Sequence, residues 1–217
     1  MQLLKRILNS GLIILGLSFG MSVSAKPVYT HIDDTDIDMS GAVTLTFDEV
    51  KVYADEGSPD SQYVLGSMYD HGNGVQKNQV KAVEWYRKAA KSGQMEAQAI
   101  LALKYQDGEG VQKDIARALK WRLKAAEQGH DASQSLLGAS YYYGIGVRQD
   151  QTKGIYWLKK SAEQGNKYAP FTLGTIYESG DGVLQNKITA KEWYGQSCDN
   201  GYEDGCDKYR ELNERTR

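Results

Sequence analysis

Two cysteines, three prolines, three histidines and three phenylalanines are all that this chain of 217 residues contains, and each scarcity removes a class of protein. So little proline excludes a collagen-like or polyproline chain, and two cysteines exclude a small disulfide-dense scaffold. Neither sign of charge dominates, since 26 Lys and Arg stand against 28 Asp and Glu. The strongly basic footprint of a nucleic-acid-binding protein is therefore missing, and no nucleic-acid partner is expected. An apolar stretch from Leu12 to Met21 is the nearest thing to a membrane span. It is broken by Gly and Ser and falls short of the roughly 20 residues a spanning helix needs.

That stretch fits another role. Lys5 and Arg6 precede it and the small residues Val23-Ser24-Ala25 follow it, the pattern of a secretory signal. A signal peptide is expected over 1–25, cut after Ala25, with no cysteine behind it to carry a lipid. Removing it takes away two positive charges and leaves 24 against 28, in a mature protein expected to be periplasmic or secreted and not inserted in a membrane. Residues 26–43 form an acidic leader. Asp34, Asp36 and Asp38 have the alternate spacing of a calcium loop, but Met39 stands at the glycine position and Leu45 at the bidentate glutamate position, so a solvated leader is the better account.

What the chain has in quantity is 23 Gly and 15 Tyr, and their placement is periodic. The four tryptophans, Trp85, Trp121, Trp157 and Trp193, lie 36 residues apart. The same interval relates Tyr69, Tyr105, Tyr141 and Tyr177, and Leu65, Leu101, Leu137 and Leu173, together with the glycine pairs that begin at Gly72/Gly74. Four units, 60–95, 96–131, 132–167 and 168–203, follow one another without insertion within a repeat region spanning 44–217, a self-similarity that marks a repeat array.

Each unit reads as helix, glycine turn, helix. Ser61, Val64, Leu65, Met68 and Tyr69 share one helical face, Gly72-Asn73-Gly74 stops that helix, and Asn78, Asp114, Asp150 and Asn186 are placed to cap a second one. The spacing predicts an all-α solenoid with partial caps over 44–59 and 204–217. The tryptophans are expected to fill the gap between units. Full burial of one indole contributes roughly 4 to 6 kcal/mol as an upper bound, so Trp→Ala is expected to unfold a unit locally.

The string Leu65-Gly66-Ser67-Met68-Tyr69-Asp70-His71-Gly72-Asn73-Gly74-Val75, followed by Lys81-Ala82-Val83-Glu84-Trp85-Tyr86-Arg87-Lys88-Ala89-Ala90, resembles the Sel1-like repeat, a relative of the tetratricopeptide repeat. The resemblance implies a right-handed α-solenoid whose first helices line a concave surface that holds other proteins. Ala102 departs from the pattern where the other units have glycine, and Gly154 where they have alanine. Cys198 and Cys206 have seven residues between them in a chain expected to be exported, a spacing open to a bridge or to two reduced thiols. The secreted cysteine-rich branch of the family carries a similar pair, and that likeness implies a disulfide stapling the C-terminal cap.

Comparison of the units with one another separates scaffold from variable positions. The stripe of Asp60, Tyr63, Ser67 and Asp70 changes freely in the later units, and it is expected on the concave side. Its members Tyr63, Leu103, Tyr142, Tyr168 and Phe171 are expected to give contact area to a protein or peptide, and Asp60, Asp70, Glu96 and Glu178 an acidic rim. No catalytic, cofactor-binding or metal-binding residues are expected. The repeated G-x-G lies between helices and is read as a turn, not a phosphate loop. Serine followed three residues later by lysine does not occur, nor do Lys-Thr-Gly, G-x-S-x-G and H-E-x-x-H, so nothing activates a nucleophile. The expected function is an exported interaction scaffold, as adaptor, assembly factor or immunity protein; a β-lactam-binding enzyme, as suggested for cysteine-rich relatives, and a plain spacer are the alternatives.

Overall fold

The backbone alternates between two capping devices that turn the glycine and Asn/Asp positions of the repeat into helix boundaries. In the computed structural model the described residues are 45–214, together with the backbone of two short N-terminal strands, β1 (Ile13–Leu15) and β2 (Met21–Val23), which pair antiparallel with Ile13 opposite Val23. The expected signal segment, the acidic leader with Asp34, Asp36 and Asp38, and residues 215–217 otherwise lie outside the described residues. Ten helices follow among those described: α1 (Phe47–Asp55), α2 (Pro59–His71), α3 (Gln79–Lys91), α4 (Met95–Asp107), α5 (Ile115–Glu127), α6 (Asp131–Tyr143), α7 (Gln151–Glu163), α8 (Tyr168–Ser179), α9 (Lys187–Asp199) and α10 (Glu203–Glu214). No helix among the described residues is long and apolar enough to cross a membrane.

Gly72 ends α2 at φ 83°, a left-handed conformation that a side chain resists, and its amide bonds back to the Met68 carbonyl. Asn78, Asp114, Asp150 and Asn186 then start α3, α5, α7 and α9, each side chain accepting a backbone amide of the first turn. The first helix is built likewise. Thr46 opens α1 with a full capping box to Glu49.

The chain divides into two compact units. The first holds 1–97 with 109–111, and the second 98–108 with 112–217. In the first, α2 packs on α1 and α3 and buries Val50, Ala54, Val64, Leu65, Tyr69, Ala82, Val83 and Tyr86, with the Phe47 ring edge-on to Tyr69 at 5.6 Å. In the second, α5 packs on α6, α6 on α7, α7 on α8, α8 on α9 and α9 on α10. One core cluster joins Tyr142, Leu158, Ala162, Ala169, Leu173 and Ile176. Cys198 and Cys206 are joined as a disulfide with Cα atoms 4.5 Å apart, fastening α9 to α10.

Polar groups repeat with the same period. Gln128 donates to the Gln98 side-chain oxygen at 2.8 Å and Gln164 to that of Gln134 at 2.6 Å. In the first repeat the donor position is Ser92, too short to reach, and the buried side-chain oxygen of Gln62 is left without a partner. An unsatisfied buried acceptor of this kind costs about 1 to 3 kcal/mol.

The tryptophans are less buried than expected, although Trp193 packs against the core cluster shared by the third and fourth repeats. All four are half-buried, and Lys88 and Lys124 lie over the faces of Trp85 and Trp121 at 3.5 and 4.6 Å, with Lys160 at 5.6 Å from Trp157. The fully buried ring comes one residue later, at Tyr86 and Tyr194. Full-burial energetics therefore belong to those tyrosines. A lysine-covered indole at the surface contributes less, with about 0.5 to 1 kcal/mol for the cation–π contact.

Candidate functional site

The variable stripe of the first helices is where sequence reasoning expected a partner, and its members have unlike fates. In the first unit, Tyr63 is 6% exposed and packs on the Tyr86 ring at 5.9 Å. Burial, helped by Glu96, pushes its phenol up to about 12. Asp60 is half-buried, and burial raises its carboxyl while Gln94 holds it back. Gln94 itself donates to Glu96 at 2.6 Å and caps α4 through the Ala97 amide. Asp70 lies beside the buried Tyr86, whose phenol is raised chiefly by burial. This end of the stripe is thus a packed, inward-looking cluster.

In the second unit Tyr142 is only 2% exposed, which overturns its expected role as a contact residue, as burial does for Tyr63. The reason lies in an opposing pair of positions 16 residues apart. Gln106 accepts from the Arg122 guanidinium at 2.5 Å, and Glu178 accepts from the Tyr194 hydroxyl at 2.7 Å. In the third repeat the pair is Tyr142 and Leu158, so the ring enters from the first helix. Gly154 lets the two helices approach closely: a Cβ there would lie 2.7 Å from the Tyr142 backbone nitrogen. The Tyr142 hydroxyl donates to the Asp181 carbonyl in the following turn. Burial beside Asp181 pushes this phenol up to about 12.

Arg122 is 5% exposed, and burial lowers its affinity for a proton, against the pull of Asp107. It occurs in the repeat that carries Ala102. Where a ring is present instead, glycine is needed, since a Cβ at Gly66 or Gly174 would come within 2.7 Å of Tyr86 or Tyr194.

The exposed part of the stripe is narrower than expected. Leu103 is 41% and Tyr168 51% exposed, while Phe171 and Glu178 are half-buried. Tyr168, Phe171 and Tyr202 make a shelf: the Tyr202 centroid lies 5.2 Å from Tyr168 and 5.1 Å from Phe171, both edge-on, and Phe171 leans on Tyr194 at 5.4 Å. Tyr202 donates to Asp204 at 2.6 Å, the main cause of its raised phenol. Sequence reasoning missed Tyr202. The signal was present, because the three preceding repeats hold Gln94, His130 and Asn166 there, all side chains that cap a helix, and a tyrosine, whose hydroxyl sits at the far end of the ring, cannot take over that role.

These hairpins, identical in backbone plan and different in what the stripe displays, define a helical-repeat solenoid of the kind used as an interaction scaffold. The Sel1 repeat family model matches residues 59–94, 96–130, 131–166 and 171–202, and the chain belongs to the Sel1 repeat family, whose members are generally protein-interaction scaffolds. Among solved structures it is 34% identical to c5321, a protective antigen present in uropathogenic Escherichia coli strains, over 80% of this chain and 37% of that one, with a TM-score of 0.76. It is 35% identical to a Sel1 repeat protein from Oxalobacter formigenes over 67% of this chain and 58% of that one, with a TM-score of 0.65. The chain therefore spans less than two thirds of either. Immunity protein Pa5087 from Pseudomonas aeruginosa, at 22% identity over 73% of this chain and 59% of its own with a TM-score of 0.49, is too remote to argue from. Functionally curated proteins give no match.

Proposed function

We propose that the protein is an exported scaffold that grips a protein or peptide with the first-helix face of its last repeat. One observation carries this reading: a shelf of three rings, with Tyr168 half open to solvent and held by Tyr202, which is held in turn by Phe171. Rings fixed by other rings present contact area at little entropic cost, which is how binding anchors are built. Asp204 is hydrogen-bonded to Tyr202 and Glu178 to Tyr194 beside the shelf, while Lys167 lies over the Tyr168 ring at 5.3 Å, so the partner segment is apolar with basic neighbours that reach the two carboxylates. Export rests on the signal-like segment before Ala25 and on the Cys198–Cys206 bond, which persists in an oxidising compartment. Within this reading the partner is an envelope protein under assembly or a secreted effector to be neutralised.

Tyr168→Ala in a tagged protein tests it by pull-down from envelope extract of the native host. The expected result is loss of the partner with an unchanged thermal melt and a mature N-terminus at Lys26; partners unaffected by the substitution overturn the docking site, and retention of Met1 overturns export.

A further inference from the structure

A second surface, remote in sequence from the aromatic shelf and opposite to it in charge, lies where α5 meets α6. Leu119 and Leu123, one turn apart on α5, face Leu137 and Tyr141 of α6, and Val147 of the turn closes the end. Together with Lys120 at the rim they line a pocket of about 190 Å³. The turn packs tightly on α5, since a Cβ at Gly146 would come 2.4 Å from Ile115, and the Asp150 amide ties the turn back to the Tyr141 carbonyl at 2.8 Å. The site is a preformed depression in a fixed wall.

Its lining is peculiar to this repeat. At the position of Leu123 the other second helices carry Arg87, Lys159 and Gly195, and at that of Lys120 they carry Glu84, Tyr156 and Glu192. Only here does a leucine at the first of these positions meet a lysine at the second. No carboxylate lines the pocket. Around it the charge is positive: α5 exposes Arg117, Lys120 and Lys124 against Glu127, with Arg122 turned inward to Gln106, and Lys153 from α7 lies over the Tyr141 ring at 5.4 Å. Arg117 is engaged by Asp114 at 3.1 Å. Lys124 covers Trp121.

Size decides what enters. Pockets that enclose small-molecule ligands run to about 300–1,000 Å³, so this one is too small for a metabolite and has room for one large side chain. We propose that it seats a leucine or aromatic anchor from a partner protein, on a segment whose neighbouring residues are Asp and Glu and engage Lys120 and Lys153. This goes beyond the function proposed above, which concerns another face and a basic partner segment. The long-range attraction between such a segment and the cationic rim speeds its arrival, and the anchor slows its departure.

A random dodecapeptide display library, selected on the purified full chain with its disulfide intact, supplies the probe. Enriched peptides are expected to share one Leu, Phe or Trp flanked by acidic residues, with binding that weakens as salt is raised. Fluorescence anisotropy with the leading peptide then compares Leu123→Lys, Lys120→Glu and Tyr168→Ala. The first two install what Lys159, Glu84 and Glu192 already provide in sister repeats, so the fold tolerates them, as circular dichroism checks. Each is expected to weaken the peptide about tenfold, and Tyr168→Ala to leave it unchanged. Failure to enrich any peptide, a basic or uncharged consensus, or undiminished binding to both pocket variants overturns the inference. Binding lost in Tyr168→Ala alone assigns the peptide to the shelf and also overturns it. Self-association in sedimentation that Leu123→Lys abolishes gives the pocket to a second copy and overturns it as well.

Discussion

The third and fourth repeats share a backbone plan and solve the same packing problem from opposite sides. In the fourth, the buried ring is Tyr194 on the second helix, it lies over Gly174, and its hydroxyl is met by Glu178 of the first helix. In the third, the ring is Tyr142 on the first helix, whose backbone and Cβ lie against Gly154, and Leu158 takes the vacated place against Gly138. What must be kept is the volume between the two helices of a hairpin, not the residue at a numbered column. A column that varies along an array is therefore a mixture of binding positions and relocated core. The difference also shows in the polar ends. Tyr194 closes its bond inside its own hairpin, while Tyr142 reaches forward to the Asp181 carbonyl.

Removing the ring gives the largest expected break in this symmetry. Tyr142→Ala should destabilise the second unit by about 3–5 kcal/mol in urea unfolding, whereas Glu178→Ala, at the same column, should cost about 1 kcal/mol. Equal effects would make the column equivalent in both repeats and refute the relocation. Next in size is Gly154→Ala, which introduces the residue found at Ala82, Ala118 and Ala190 and should nonetheless cost about 1–3 kcal/mol through overpacking against Tyr142. The repair sharpens the point: Gly154→Ala combined with Tyr142→Glu and Leu158→Tyr rewrites the third repeat as a fourth. It should recover more stability than the sum of the single changes predicts.

The smallest effect is alkaline. Tyr142 and Tyr63 ionise only near pH 12 in the folded protein, against about 10 when unfolded. Their neutral forms thus support the fold fully below about pH 10, and that support is lost as pH climbs toward 12. The melting temperature should fall across that window, and Tyr142→Phe should flatten the fall. An identical alkaline slope in Tyr142→Phe would show that its hydroxyl is not the one responsible.

Much of the scaffold was legible from spacing. Gly72 and Asn78 mark helix boundaries because positive φ and an orphan amide are local demands that one residue type meets locally. The indoles misled for a physical reason. Trp85, Trp121 and Trp157 recur as strictly as any core residue, yet lysines one turn later cover their faces, and amphipathic lysine stems make a half-exposed tryptophan tolerable. Tyr86 and Tyr194, adjacent to them and fully buried, broke the period at Arg122 and Leu158 and so carried a weaker signal. At the candidate site the stripe was found, but its division into exposed Tyr168 and buried Tyr63 and Tyr142 was not.

By itself, the order of residues determined the repeat length, the all-helical class and the helix caps, since these rest on interactions within a few residues or on periodicity. Which tyrosine is core and which is surface was decided only in three dimensions. A phenol ring has one volume wherever it enters, and whether it is buried depends on the gap left by Gly154, Gly174 or Leu158 on the facing helix. That gap belongs to the pair of helices and to neither segment alone.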